Sequence, residues 1–210
     1  MRKLWIPLIG LMMLLTACAP AFDQKAQLRQ DSQAVITQVA KLNTALDTVN
    51  DQLGAFPSTF EKAYSKDHNQ DFQNDGTVAA MLTKRQAAYE RLEAAQTKLE
   101  DATNRLTKLN SQDNPQLPKA ELKRALTTLR LAKLDHKTFD TYYKELTNAE
   151  NDFFDTVASD PDDKDAIDEA LTQLNQYDSS LSQQADIMQA NLQTVTSDAT
   201  ALDKAAKAMK

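Results

Sequence analysis

Residues 167–209 read IDEALTQLNQYDSSLSQQADIMQANLQTVTSDATALDKAAKAM, and their apolar members fall at Ile167, Leu171, Leu174, Leu181, Ala185, Met188, Leu192, Val195, Ala199, Leu202, Ala206 and Met209. Steps of three and four residues, repeated over this length, place all twelve on one stripe of an α-helix. At roughly 1.5 Å per residue, a helix over 161–209 exceeds about 65 Å and is the longest rod of the chain. The acidic turn Asp160-Pro161-Asp162-Asp163 precedes it, and reads as the helix start, with Asp160 as N-cap and Pro161 in the first turn. As a calcium loop the same run lacks the central glycine and the closing glutamate.

Working back along the chain, the same spacing recurs. A helix over about 119–158 carries the seam Leu122, Ala125, Leu129, Ala132, His136, Phe139, Tyr143, Leu146, Glu150, Phe153 and Val157. Two polar members, His136 and Glu150, therefore face the core side. They sit on one helix, too far apart to meet, so metal ligation or proton transfer would need a partner from another helix; fixing the register is the plainer role. Asn114-Pro115 and Leu117-Pro118 mark the turn before this helix. A helix over about 77–110 alternates small and large along Ala88, Leu92, Ala95, Leu99, Ala102 and Leu106, which lets a partner helix approach closely. The first helix, about 27–53, has Val35, Val39, Leu42, Leu46, Val49 and Leu53 at heptad spacing, with Gly54 placed as its C-terminal stop.

Residues 55–76 break the pattern. Pro57 is expected to end any continuation, and Ser58 with Glu61 fits a capping box opening a short helix. Phe56, Phe60, Tyr64 and Phe72 gather in this connection, beside a loop rich in Asp, Asn and Gln. They either close the end of a bundle or, as Phe60, Tyr64 and Phe72 in a loop roughly 45 Å from the start of the first helix, touch a partner.

The fold class expected is all-α: an elongated antiparallel helical bundle or coiled coil of three to four long helices, forming a single domain over 27–210. Glycine supports this, because Thr77 to Lys210 contains none. Phosphate-cradling loops, tight βα turns and hairpins need glycine where φ is positive, so nucleotide-binding α/β folds and two-lobed solute-binding folds are opposed.

The amino terminus supplies the address. Arg2 and Lys3, an apolar run from Leu4 to Leu15, then Leu15-Thr16-Ala17-Cys18 form a lipoprotein signal peptide over 1–17 with its lipobox. Cleavage before Cys18 would leave a thiol to carry diacylglycerol, followed by a tether over 18–26. Two or three acyl chains anchor a protein stably, so no other membrane signal is needed. The expected location is the extracellular face of the cell membrane. Cys18 is the chain's one cysteine, which excludes an intramolecular disulfide and a thiolate metal site.

Loss of Arg2 and Lys3 with the leader takes the formal net charge from −6 to −8. Acidity of this size disfavours non-specific adhesion to nucleic acid or anionic lipid. Histidine occurs only at 68 and 136, with no pair at metal-ligand spacing and no nucleophile motif, so no catalytic residue, metal or cofactor is assigned. The function expected is a non-enzymatic, membrane-anchored rod that binds cell wall or a partner protein; the alternative is a ligand- or metal-binding lipoprotein serving a transporter or enzyme.

The lipobox, together with Tyr142-Tyr143-Lys144-Glu145-Leu146, Glu150, Phe153-Phe154 and Leu174-Asn175-Gln176-Tyr177, resembles the YkyA-like family of cell-wall-binding lipoproteins of Gram-positive bacteria. The resemblance implies attachment to the membrane by Cys18 and a partner in the wall, peptidoglycan or another envelope protein. It assigns no catalytic or ligand residue.

Overall fold

The computed structural model describes residues 23–209; the expected signal peptide over 1–17 and the expected lipidation site, Cys18, lie outside them. Among the described residues the chain is all-α, with four long helices: α1 (Gln24–Lys66), α2 (Gly76–Asn110), α3 (Lys119–Ser159) and α4 (Lys164–Ala208). The seams are what they bury. Val35, Val39, Leu42, Leu46 and Val49 of α1, Ala88 through Leu106 of α2, and Leu181 through Ala206 of α4 line one continuous core. Among the described residues, the buried apolar side chains run from Leu28 to Ala206 and form one core shared by all four helices.

α1 packs along α2 and α4, and α3 along α4; α2 and α3 approach each other much more sparsely. One end of the assembly gathers the start of α1, the 111–118 turn and the end of α4, where Gln24 bonds to Gln112 and Asn114, and Lys25 to the Met209 carbonyl. At the other end the Tyr64 hydroxyl of α1 donates to the Pro161 carbonyl at 2.6 Å.

α1 departs from its expected bounds. It starts at Gln24, because Asp23 caps it by accepting from the Ala26 amide at 3.0 Å, and it runs unbroken through Gly54 and Pro57 to Lys66. Neither residue is a stop, and the Ser58 capping box does not form: that hydroxyl donates to the Ala55 carbonyl at 3.3 Å. The reason is packing. Val49, Leu53, Phe56, Phe60 and Ala63 continue the heptad past the proline, and all five are buried. An interior proline costs about 3 kcal/mol, whereas each buried phenylalanine returns about 2 to 3 kcal/mol, so the two rings together outweigh it.

α4 starts later than expected. Its cap is Asp163, which accepts from the Ala166 amide at 3.0 Å, while Asp160 holds the preceding turn through the Asp162 amide at 3.2 Å. The 67–75 loop enters α2 through Gly76 at φ 78°, a left-handed conformation that suits glycine.

Candidate functional site

Two places in the bundle concentrate chemistry: an aromatic end and a polar seam. The aromatic end is built by the extension of α1. Phe60 meets Phe153 of α3 edge-on at 4.8 Å between centroids and Phe72 of the loop at 5.2 Å, with Phe56 against Phe153 and Phe154. Phe60 is 2% exposed and Phe72 3%, so these rings close the end of the bundle and present almost no face to a partner. Tyr64 is half-buried and tied to Pro161. Because α1 spans 43 residues, this end lies about 64 Å from the start of α1, farther than the 45 Å expected from a helix stopping at Gly54.

The polar seam fills the interval where α2 and α3 do not pack closely. Lys133 reaches Glu100 at 2.8 Å, His136 Nε2 meets Glu93 at 2.7 Å, the Tyr89 hydroxyl donates to Asp140, and Tyr143 donates to Gln86 at 3.1 Å. Tyr89 and Tyr143 stack face to face at 3.9 Å. Burial alone would raise the Asp140 carboxyl, but hydrogen bonds from Lys144 and Tyr89 hold it below its ordinary range. Burial, with the bond to Asp140, pushes the Tyr89 hydroxyl far above the usual tyrosine range. The bond from Lys133 likewise lowers Glu100. α2 thus gives His136 an ion-pair partner, Glu93, rather than a set of metal ligands.

The seam ends in a buried charge cluster. Arg85 of α2 pairs with Glu150 of α3, and Asp178 of α4 is buried beside them; the three are 4%, 5% and 8% exposed. Burial works against the Arg85 charge, but Glu150 beside it leaves the guanidinium above its ordinary value. Burial raises Glu150 in spite of Arg85. For Asp178 burial is decisive: it pushes the carboxyl up to about 7, with Arg85 opposing and Glu150 adding to the rise. Both Asp178 carboxylate oxygens, Glu150 Oε1, and Arg85 Nε and Nη1 lack protein hydrogen-bond partners, and Asp178 also lines a groove of about 540 Å³ between α1 and α4 beside Gly54 and Pro57.

Chemically, the cluster holds one cation, one paired carboxylate and one carboxyl poised to be neutral. Among the described residues, no group of three or more His, Cys, Asp or Glu side chains is placed to hold a metal ion, and no helix is long and apolar enough to cross a membrane. Arg85 and Asp178 were legible as seam positions: Met81, Arg85, Ala88 and Leu92 step by four, three and four, and Asp178 fills the gap between Leu174 and Leu181. Reading only apolar members hid both. No protein-family model, curated protein or solved structure matches the chain.

Proposed function

We propose that the chain is a non-enzymatic lipoprotein of the cell envelope, held at the outer face of the cytoplasmic membrane through a lipidated Cys18 and acting as a rod that contacts cell wall or a partner protein. The observation that carries this reading is Leu15-Thr16-Ala17-Cys18 after a basic, apolar leader, with α1 beginning only six residues beyond the cysteine at Gln24. The reading includes the resemblance of the lipobox and the Tyr142–Tyr177 motifs to the YkyA-like family. The rod is read as an elongated antiparallel bundle with coiled-coil seams: Gln24 beside Gln112, Lys25 beside Met209 and Tyr64 beside Pro161 favour helices that alternate in direction. Fatty-acid labelling of the parent chain and of Cys18→Ala tests the anchor.

A second reading, a ligand-binding lipoprotein, is favoured by the unpartnered Asp178 carboxyl at the groove between α1 and α4. A solute held there would have to donate hydrogen bonds to a carboxyl that sits beside Arg85 and Glu150.

A further inference from the structure

The charge of this acidic chain is sorted along the rod. At the end where α1 starts, each helix carries a lysine within its terminal turn: Lys25 in α1, Lys108 in α2, Lys119 in α3 and Lys207 in α4. A turn further in lie Arg29, Lys123 and Lys204, all exposed. The opposite end is predominantly acidic, with Lys66 closing α1 and Lys164 opening α4 but outnumbered by aspartates. Its loops carry Asp67, Asp71, Asp75, Asp160, Asp162 and Asp163, with no lysine or arginine in 67–75 or 160–163.

Helix dipoles do not account for the basic end. Two helix starts and two helix ends meet there, so their partial charges cancel, and Lys25, Arg29, Lys119 and Lys123 stand at helix starts, where a cation is unfavourable. Lys25 and Lys119 do cover neighbouring carbonyls, of Met209 and of Asn110 and Gln112. The acids nearby are largely occupied. Asp31 is fully buried under Arg105 at 2.6 Å, Asp203 is buried against Lys207 and Arg29, Glu121 pairs with Arg124, and Asp23 caps α1. Among the described residues, exposed Lys108, Lys123 and Lys204 have no acid within ion-pair distance, and the 111–118 turn contributes one acid, Asp113.

We propose that this lysine-ringed end is a docking surface for the anionic headgroups of a phospholipid bilayer, and that it seats the rod upright with its aspartate-rich end directed away. The net charge of −8 left once Arg2 and Lys3 are gone argues against adhesion over the whole surface, but attraction is local, falling off within a Debye length of about 8 to 10 Å. The choice of a bilayer rests on the lipidation reading. Four residues separate Cys18 from Asp23, and the five steps between them reach at most about 18 Å, so an anchored chain brings this end and no other to the headgroups.

The chain from Asp23 to Lys210, which holds all four helices and lacks Cys18, is sedimented with vesicles of phosphatidylcholine alone and of phosphatidylcholine with phosphatidylglycerol. Binding is expected only with phosphatidylglycerol, and it weakens as salt is raised. The triple variant Lys108→Glu, Lys123→Glu, Lys204→Glu loses affinity by about two orders of magnitude, at ~fivefold per lysine, while Lys62→Glu with Lys66→Glu at the opposite end leaves it unchanged. Circular dichroism establishes that each chain is folded. Equal binding to both vesicles, no binding to either, or a triple variant that binds like its parent would overturn the proposal. Failure of lipidation reads out separately, in labelling at Cys18.

Discussion

Arg85 on α2 and Glu150 on α3 form an ion pair inside the bundle, 5% and 7% exposed at their side chains, and it joins the two helices at the seam where packing is sparsest. Removing one member leaves the other charge buried without its partner, which costs about 3 to 5 kcal/mol. Arg85→Met and Glu150→Leu made singly should therefore each lower the urea midpoint sharply. Made together they should restore the parent stability or exceed it by about 1 to 4 kcal/mol, since an apolar pair avoids the desolvation cost altogether. A double variant as unstable as the worse single one would contradict this.

Asp178 makes stability depend on pH in a defined direction. Its folded pKa, about 7, lies above that of an unfolded aspartate, so the folded state holds the proton more tightly. The resulting stability is fully present below about pH 4 and is lost as pH rises to about 7, a change on the order of 4 kcal/mol. Asp178→Asn stays neutral throughout. Its advantage over the parent should be small at pH 4, grow through pH 5 and 6 and level off above 7 in urea titrations; a constant difference would show that folding does not shift the titration of this carboxyl.

Much of the fold was legible, because it is written in one signal: apolar residues at steps of three and four from Val35 to Ala206. Two readings failed where a local rule was weighed against that signal. Pro57 and Gly54 are helix breakers by propensity, yet Phe56 and Phe60 carry the seam across them, and tertiary burial wins. Asp160-Pro161 is a good helix start, yet Asp163 holds a cap just as well three residues later, a boundary that local chemistry leaves undecided. The polar cluster was half visible: Glu150 was evident as a core-side acid, whereas Arg85 and Asp178 required polar residues to be counted as seam members and three helices to be aligned.

The breakers left inside α1 predict easy stabilisation. Gly54 is exposed, with open space where a Cβ would stand, so Gly54→Ala should add about 0.5 to 1 kcal/mol. Pro57→Ala restores an amide for the Leu53 carbonyl and should add about 1 to 3 kcal/mol. For a chain of this size that is about 2 to 4 °C per kcal/mol in calorimetry. At Gly76, where φ is 78°, the same change to alanine should destabilise instead.

The aromatic end predicts a loss of stability on truncation. Phe60 touches Phe56, Tyr64, Phe72 and Phe153, so Phe60→Ala should cost about 3 to 5 kcal/mol. Tyr64→Phe removes only the bond to Pro161 and should cost about 1 kcal/mol. If Phe60→Ala left the melting temperature unchanged and instead abolished association with cell walls, the ring would be a contact residue and its packed position would not describe the protein in the cell.

The central claim, a rod anchored through Cys18, is tested most directly by feeding cells a radiolabelled fatty acid and following the chain in membrane and medium fractions. The parent should carry label and fractionate with membranes, and Cys18→Ala should carry none and run as an unprocessed or released protein. Label retained by Cys18→Ala, or a parent chain that takes up none, would contradict the account.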